Sequence, residues 1–171
     1  ALAIWSCARP QNRARVGELS RGRKVLNAFS YTGGFSLYAA RGGAASVVSL
    51  DSSPAALAEA RENFALNADL PEVAQATHEC VCEDAFGALA RFAIERRRFD
   101  LVVVDPPAFA KAKSEVGSAL SGYARLAELA CGVLAPQGIL VMASCTARID
   151  ADALSGAIRT GAKRADRELA E

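Results

Sequence analysis

Short apolar runs alternate along this chain with longer segments whose apolar residues recur at helical spacing, and glycine, proline or aspartate stands at most junctions. Lys24 to Ser30 (KVLNAFS) predicts a first buried strand, closed by the turn Tyr31-Thr32-Gly33-Gly34. Phe35 to Arg41 predicts a short helix, ended by Gly42-Gly43. Ser46 to Leu50 (SVVSL) predicts a second strand with Asp51 at its end. Ser53-Pro54 then supplies the capping hydroxyl and first-turn proline of a helix running to about Asn67. Thr77 to Val81 predicts a third strand and Asp84 to Arg97 the helix after it. Phe99 to Val104 (FDLVVV) is wholly apolar after Asp100, the pattern of a central parallel strand covered on both faces. Ser121 to Leu134 predicts a helix, Pro136-Gln137-Gly138 a turn, Ile139 to Ser144 (ILVMAS) a fifth strand, and Asp150 to about Lys163 a last helix.

Strand and helix in strict alternation predict an α/β fold, a doubly wound parallel sheet with right-handed crossovers. Ligands of such sheets bind beyond the carboxyl ends of the strands, near the point where strand order reverses. The polar motifs of this chain fall at those strand ends.

With 171 residues, 51% of them hydrophobic, the chain suffices for one domain with a substantial core. A net charge of +1 does not by itself announce a nucleic-acid binder. Its distribution says more, because Arg9, Arg13, Arg15, Arg21, Arg23 and Lys24 stand against Glu18 alone. Residues 1–23 therefore read as a basic segment ahead of a domain spanning 24–171, suited either to a phosphate backbone or to plain solvation. No signal peptide is recognisable, and no apolar run is long enough to cross a membrane. Five cysteines, an odd number without framework spacing, imply free thiols and a reducing cytoplasm. Nothing in the sequence fixes the oligomeric state.

Candidate chemistry begins at Phe29-Ser30-Tyr31-Thr32-Gly33-Gly34, where glycine lets backbone approach a ligand that a Cβ would block. Asp51 ends the next strand, where a carboxylate can accept from both hydroxyls of a ribose or cap the following helix. Adjacent glycines do not make the G-x-G-x-x-G of a dinucleotide site. Asp84, past the third strand, can accept from the exocyclic amine of adenine, cap its helix, or do both. Asp105-Pro106-Pro107-Ala108-Phe109 follows the central strand as a rigid turn against which a planar base can lie.

These motifs, with Ser144-Cys145-Thr146, resemble in content and order the catalytic domain of the bacterial large-subunit rRNA cytosine-C5 methyltransferases, over roughly Asn12 to Ile158. The resemblance implies a Rossmann-like class I methyltransferase and S-adenosylmethionine as cofactor. Phe29, Ser30, Tyr31, Thr32 and Gly33 would face its amino-acid moiety, Asp51 its ribose and Asp84 its adenine, with Asp105 between cofactor and base. It implies RNA as partner, with Pro106, Pro107 and Phe109 against the target base and Lys111 and Lys113 on phosphate. Two further C-terminal strands and an N-terminal RNA-binding domain, usual in the family, are not visible here. The expected sheet thus has five strands and lacks the last ones, leaving one edge open.

Cytosine C5 must be activated before it can attack a sulfonium methyl, and a thiolate adding to C6 does this. Cys145, ending the fifth strand beside the Asp105 turn, is the candidate nucleophile; otherwise it is a small buried residue. Asp105 would hydrogen-bond the N3 and amino region of the base. Where many RNA cytosine-C5 enzymes carry a second cysteine this chain has Ala108, which implies a single-cysteine scheme. Ala8-Arg9-Pro10 replaces the family's usual Asp-Gln-Arg ahead of Asn12-Arg13.

His78, Cys80 and Cys82 alternate along the third strand, but no partner pair completes a zinc site, so no metal is expected. Arg96-Arg97-Arg98 reads as a solvated helix end remote from the cofactor, and Tyr123 as a packing residue. The alternatives are methyl transfer to a guanine or adenine nitrogen without a covalent intermediate, and a non-catalytic nucleotide- or RNA-binding fragment.

Overall fold

The computed structural model describes residues 1–6, 10–109, 112–144 and 149–170. Cys145 and Lys111 lie outside the described residues, as do Cys7 and Arg9. The elements are β1 (Leu2–Ser6), α1 (Pro10–Leu19), β2 (Lys24–Ala28), α2 (Gly34–Arg41), β3 (Ser46–Asp51), α3 (Pro54–Ala65), α4 (Pro71–Gln75), β4 (Thr77–Cys82), α5 (Ala85–Ile94), β5 (Phe99–Val104), α6 (Val116–Val133), β6 (Leu134–Ser144) and α7 (Ala151–Arg164). A short 3₁₀ turn, Lys113–Glu115, leads into α6.

All strand pairs are parallel, in the order β1-β6-β5-β2-β3-β4. From β2 the chain winds outward through β3 and β4, then returns to the other side of β2 to lay down β5 and β6. Strand order therefore reverses between β2 and β5, and the doubly wound expectation holds. That switch point puts Ser30 and Asp105 on neighbouring strand ends, and Asp105 N–H reaches the carbonyl of Ala28 at 3.4 Å.

Two apolar layers flank the sheet, as the period of two along each strand requires. Leu26, Val102, Val104, Leu140 and Met142 face Leu89, Phe92, Tyr123, Leu126 and Ile158 of α5, α6 and α7. Val25, Val47, Leu101, Val103 and Val141 face Val16, Phe35, Ala39, Phe64 and Val73 of α1, α2, α3 and α4. Strands so thoroughly buried on both faces explain why FDLVVV carries no polar alternation.

The structure corrects the five-strand expectation. β1 pairs with β6 residue for residue from Leu2↔Leu140 to Ser6↔Ser144, so the sheet has six strands and β6 is not an edge. A five-residue apolar run at the very start of the sequence gives too little periodicity to declare itself. α1 escapes the same way, since it buries only Val16 and Gly17 on an otherwise polar surface. It is pinned by a close crossing instead: a Cβ at Gly42 would sit 2.0 Å from the carbonyl oxygen of Gly17. β6 begins at Leu134, not Ile139, and absorbs the expected Pro136-Gln137-Gly138 turn as an irregularity, with Gln137 at φ 60.

Candidate functional site

Backbone strain concentrates in the turn that follows β2. Phe29 (φ 60) and Tyr31 (φ 48) hold left-handed conformations, and Gly33 (φ 77) follows. For the two non-glycines this costs about 1–2 kcal/mol each, a conformation that persists only where the surroundings enforce it. The enforcing bonds are identifiable. Asp51 Oδ2 accepts from Tyr31 N–H at 2.8 Å, Ser30 N–H donates to Leu50 O at 3.0 Å, and Gly33 N–H closes onto Ser30 O at 2.9 Å. Asn63 Nδ2 donates to Thr32 O at 2.9 Å, tying the turn to α3. Gly33 cannot be replaced cheaply, because a Cβ there would also press on Ala60 at 3.0 Å.

Beneath this turn runs a chain of buried hydroxyls. Asn27 Nδ2 donates to Ser36 Oγ (2.9 Å), Ser49 Oγ bonds Ser36 Oγ (2.7 Å), and Ser49 Oγ meets His78 Nε2 (2.9 Å). Ser36 lies in the first turn of α2, so the network clamps the start of that helix onto β2, β3 and β4. His78 stacks on Phe64 with ring centroids 3.6 Å apart, and burial, aided by Arg61, lowers its pKa from 6.5 to about 4. It is a structural member of this chain, and no metal-holding group of His, Cys, Asp or Glu occurs among the described residues.

Three carboxylates follow the ends of successive strands. Asp51, partly exposed, also accepts from Ser53 N–H at 2.9 Å through Oδ1, while Ser53 Oγ caps α3 by accepting from Ala56 N–H at 3.2 Å. Asp84 caps α5, accepting from Gly87 N–H at 2.9 Å, and remains exposed. Asp105 is half-buried. Burial raises its pKa above the usual carboxylate range, opposed by the nearby positive charge of Arg13. In sheet order β5-β2-β3-β4, the sites at Asp105, Ser30, Asp51 and Asp84 form an arc about 14 Å across, at about 4.8 Å per strand.

Polar atoms inside that arc lack partners. Among the described residues, Ser30, 5% exposed, has no partner for its Oγ, nor has Asp105 Oδ1, Arg13 Nε or Asn27 Oδ1. A buried donor or acceptor left unsatisfied costs about 1–3 kcal/mol, so several converging on one place point to a polar ligand. Arg13 is the residue that sequence reasoning missed. It belongs to the basic segment expected along phosphate, yet it turns inward. A Cβ at Gly34 would meet its Nε at 3.2 Å, so the absence of a side chain there makes room for the guanidinium. Arg15 pairs with Glu18, and Arg23 Nη1 donates to Leu19 O, so those two cations have internal partners as well.

On the other side of the arc, Pro106 is buried while Pro107 and Ala108 are exposed. Phe109 packs against Tyr123, ring centroids 5.1 Å apart and tilted by 57°. Tyr123, itself fully buried, donates to Ser144 Oγ at 2.9 Å. It thereby joins the Asp105 turn to the end of β6, immediately before Cys145. Lys113 opens the 3₁₀ turn that leads into α6. Tyr31, 71% exposed, stands at the rim. Arg96, Arg97 and Arg98 precede β5 and so lie at the opposite end of the sheet.

The family model for S-adenosylmethionine-dependent methyltransferases matches residues 8–165. The chain is 47% identical over 157 residues to a "Ribosomal RNA large subunit methyltransferase" of Deinococcus radiodurans, covering 92% of this chain and 38% of that protein. It is 39% identical over 158 residues to "Ribosomal RNA large subunit methyltransferase I" of Shewanella denitrificans, covering 92% and 39%. Among solved structures, a methyltransferase by assignment, SMU.776, complexed with SAH, superposes with a TM-score of 0.75 at 27% identity over 89% of this chain and 39% of that one. A SAM-dependent methyltransferase from Agrobacterium tumefaciens gives 0.69 at 29% identity over 88% and 48%. The chain thus spans about two-fifths of the length of the curated relatives it matches.

Proposed function

This chain belongs to the S-adenosylmethionine-dependent methyltransferase family, whose cofactor is S-adenosylmethionine, and from that premise we propose that it carries the methyl-transfer site of an enzyme forming 5-methylcytosine in large-subunit ribosomal RNA through Cys145. The names of its relatives support RNA as the substrate. The carrying observation is the junction at the switch point. Asp105, with a buried unpartnered oxygen, and Ser144, held by Tyr123, bring two strand-end motifs to one place.

The residues fit the cofactor. The unpartnered Ser30 Oγ and Arg13 Nε border the glycine turn, where an amino-acid carboxylate and amine would bind. Asp51 keeps lone pairs for a ribose after bonding Tyr31 and Ser53. Asp84 can accept from adenine while capping α5. When bound, S-adenosylmethionine supplies an electrophilic methyl group on a sulfonium.

The chain's own residues do the rest. The Cys145 thiolate adds to C6 of cytosine, and the electron pair displaced from the C5–C6 bond makes C5 the nucleophile toward the methyl group. Asp105 holds N3 and the amino group by hydrogen bonds as charge develops there, its pKa raised by burial and opposed by Arg13. Transfer of the C5 proton to a water molecule then lets the C5–H electron pair re-form the C5–C6 double bond and expel the Cys145 thiolate. Pro106 and Pro107 give the base a rigid wall, and Lys111 and Lys113 meet phosphate.

Incubation with 5-fluorocytosine RNA and S-adenosylmethionine tests this. Fluorine cannot leave as the proton does, so a covalent adduct should accumulate in the parent and be absent in Cys145→Ala. Retained methyl transfer in Cys145→Ala, with the product mapped to a ring or exocyclic nitrogen, overturns the cysteine mechanism.

A further inference from the structure

The end of the sheet remote from the arc carries two cavities. One, of about 440 Å³, is lined by Lys24, Arg96, Arg97 and Arg98, with the hydroxyls of Ser46 and Thr77 and the carboxylate of Glu79. These residues start or precede β2, β3, β4 and β5, a full strand length of roughly 17–20 Å from the aspartates at the other end. The second, of about 280 Å³, is lined by Arg159, Lys163 and Arg167 with Glu168 as its carboxylate. Arg167 Nη2 donates to the carbonyl of Leu134, and Leu134 is the register partner of Phe99 in the first cavity. The two cavities therefore lie beside one strand pair, β5 and β6, at the same end of the sheet.

Charge is segregated there. The two linings hold seven cations against two carboxylates, while the whole chain is only +1, so the remainder of the molecule is net negative. The carboxylate of Asp100 lies close by, accepting from Lys24 N–H at 2.9 Å. The C-termini of α1, α2, α4, α5, α6 and α7 also lie there, each worth up to about half a negative charge. Counted together with Asp100 they leave the band only slightly positive, so its attraction for anions rests on the exposed side chains of Lys24, Arg96, Arg98 and Lys163. Glu79 is engaged by Arg97 at 2.7 Å, and Arg97 rests over Phe92 and Phe99, which fixes it in place. Lys24, Arg96, Arg98 and Lys163 are exposed.

We propose that this band is a second contact surface for the phosphate backbone of RNA, behind the methyl-transfer site. The RNA part rests on the proposed function. An extended polyanion suits the band better than a free phosphate. From β4 to β6 it spans four strand spacings, about 19 Å, which is the reach of several consecutive phosphates. The surface grips sequence-independently, so a structured RNA can wrap the sheet end while its target base enters at the aspartate arc.

The test compares the parent with the variant K24Q/R96Q/R98Q/K163Q, four exposed positions, with melting curves to verify folding. Affinity for a fragment of large-subunit rRNA is measured over a salt series, and S-adenosylmethionine affinity in parallel. The parent's log Kd should depend on log salt with a slope that the variant flattens by roughly 3–3.5, about 0.7–0.9 for each of four lost phosphate contacts. Cofactor affinity should not change. RNA should also shield Lys24 and Lys163 of the parent from an amine-acylating reagent, which requires no variant. Parent and variant with equal slopes and unshielded lysines overturn the second surface alone. A parent that binds cofactor but no RNA at any salt overturns the RNA reading with it. Loss of shielding on addition of millimolar inorganic phosphate would assign the band to a free anion instead.

Discussion

Replacing Asp51 by alanine removes two hydrogen bonds at once, one from Tyr31 N–H at 2.8 Å and one from Ser53 N–H at 2.9 Å. Charge-assisted bonds of this kind are worth about 1.5–3 kcal/mol each. Asp51 is partly exposed, so water can replace part of each, and the summed loss should be about 2–3 kcal/mol. In a chain of this size that lowers Tm by roughly 5–10 °C, at about 2–4 °C per kcal/mol. The loss does not spread evenly. Tyr31 holds φ 48 with that bond as support, so its release relaxes the turn proposed to border the cofactor. If Asp51 also accepts from ribose, calorimetry should show S-adenosylmethionine binding weakened by about 10–100-fold, or roughly 1–3 kcal/mol. Asp51→Asn keeps one acceptor oxygen and should fall between parent and Asp51→Ala in both measurements. Ser53→Ala is the control: it removes the α3 cap, costing about 1 kcal/mol of stability, and should leave cofactor affinity alone. A folded Asp51→Ala protein with lowered Tm and parental cofactor affinity would refute the ribose role and leave Asp51 as a strut of the turn.

How much of this was legible follows from range. The strands at the centre declared themselves because burial on both faces leaves Leu101 to Val104 wholly apolar and Val47, Val48 and Leu50 broken only by the hydrogen-bonded Ser49. The strand ends declared themselves because Gly33, Asp51, Asp84 and Asp105 follow or close β2, β3, β4 and β5 in chain order. Asp51 and Asp84 capping or bracing local turns was open in the sequence, and the structure has both doing so. β1 was illegible because its stabilisation comes from pairing with β6, more than a hundred residues away. Arg13 was illegible for a related reason: five other cations around it in the sequence imply a solvated face, and only the crossing of α1 over α2 turns this one inward. The Asn27–Ser36–Ser49–His78 chain joins three strands and a helix, and the alternation of His78, Cys80 and Cys82 gave no hint of the serine opposite.

Three further outcomes are expected. Arg13→Met should weaken S-adenosylmethionine binding by at least about tenfold, as loss of one charge-assisted contact implies, with Arg13→Lys intermediate; parental affinity in Arg13→Met would remove Arg13 from the cofactor site. Asp105 has its pKa raised by burial, so the folded state holds that proton above the ordinary carboxylate range and ligand-free stability should fall as pH rises through that window. Asp105→Asn should abolish this slope and slow methyl transfer while cofactor still binds; an unaltered slope would contradict the buried carboxyl. For His78 the sign is opposite, because its folded pKa of about 4 lies below the unfolded 6.5. Between those values the unfolded chain takes up the proton and the folded one does not, so stability is complete above about 6.5 and declines as pH drops toward 4. Discounted for partial exposure, this amounts to about 2 kcal/mol. His78→Gln should flatten the acid limb of the stability curve in this window while leaving the neutral-pH cofactor affinity within about twofold, since Ser36 and Asn27 still hold α2. A His78→Gln protein with the parental acid limb would show that other groups carry the acid sensitivity and that His78 is not held neutral in the fold.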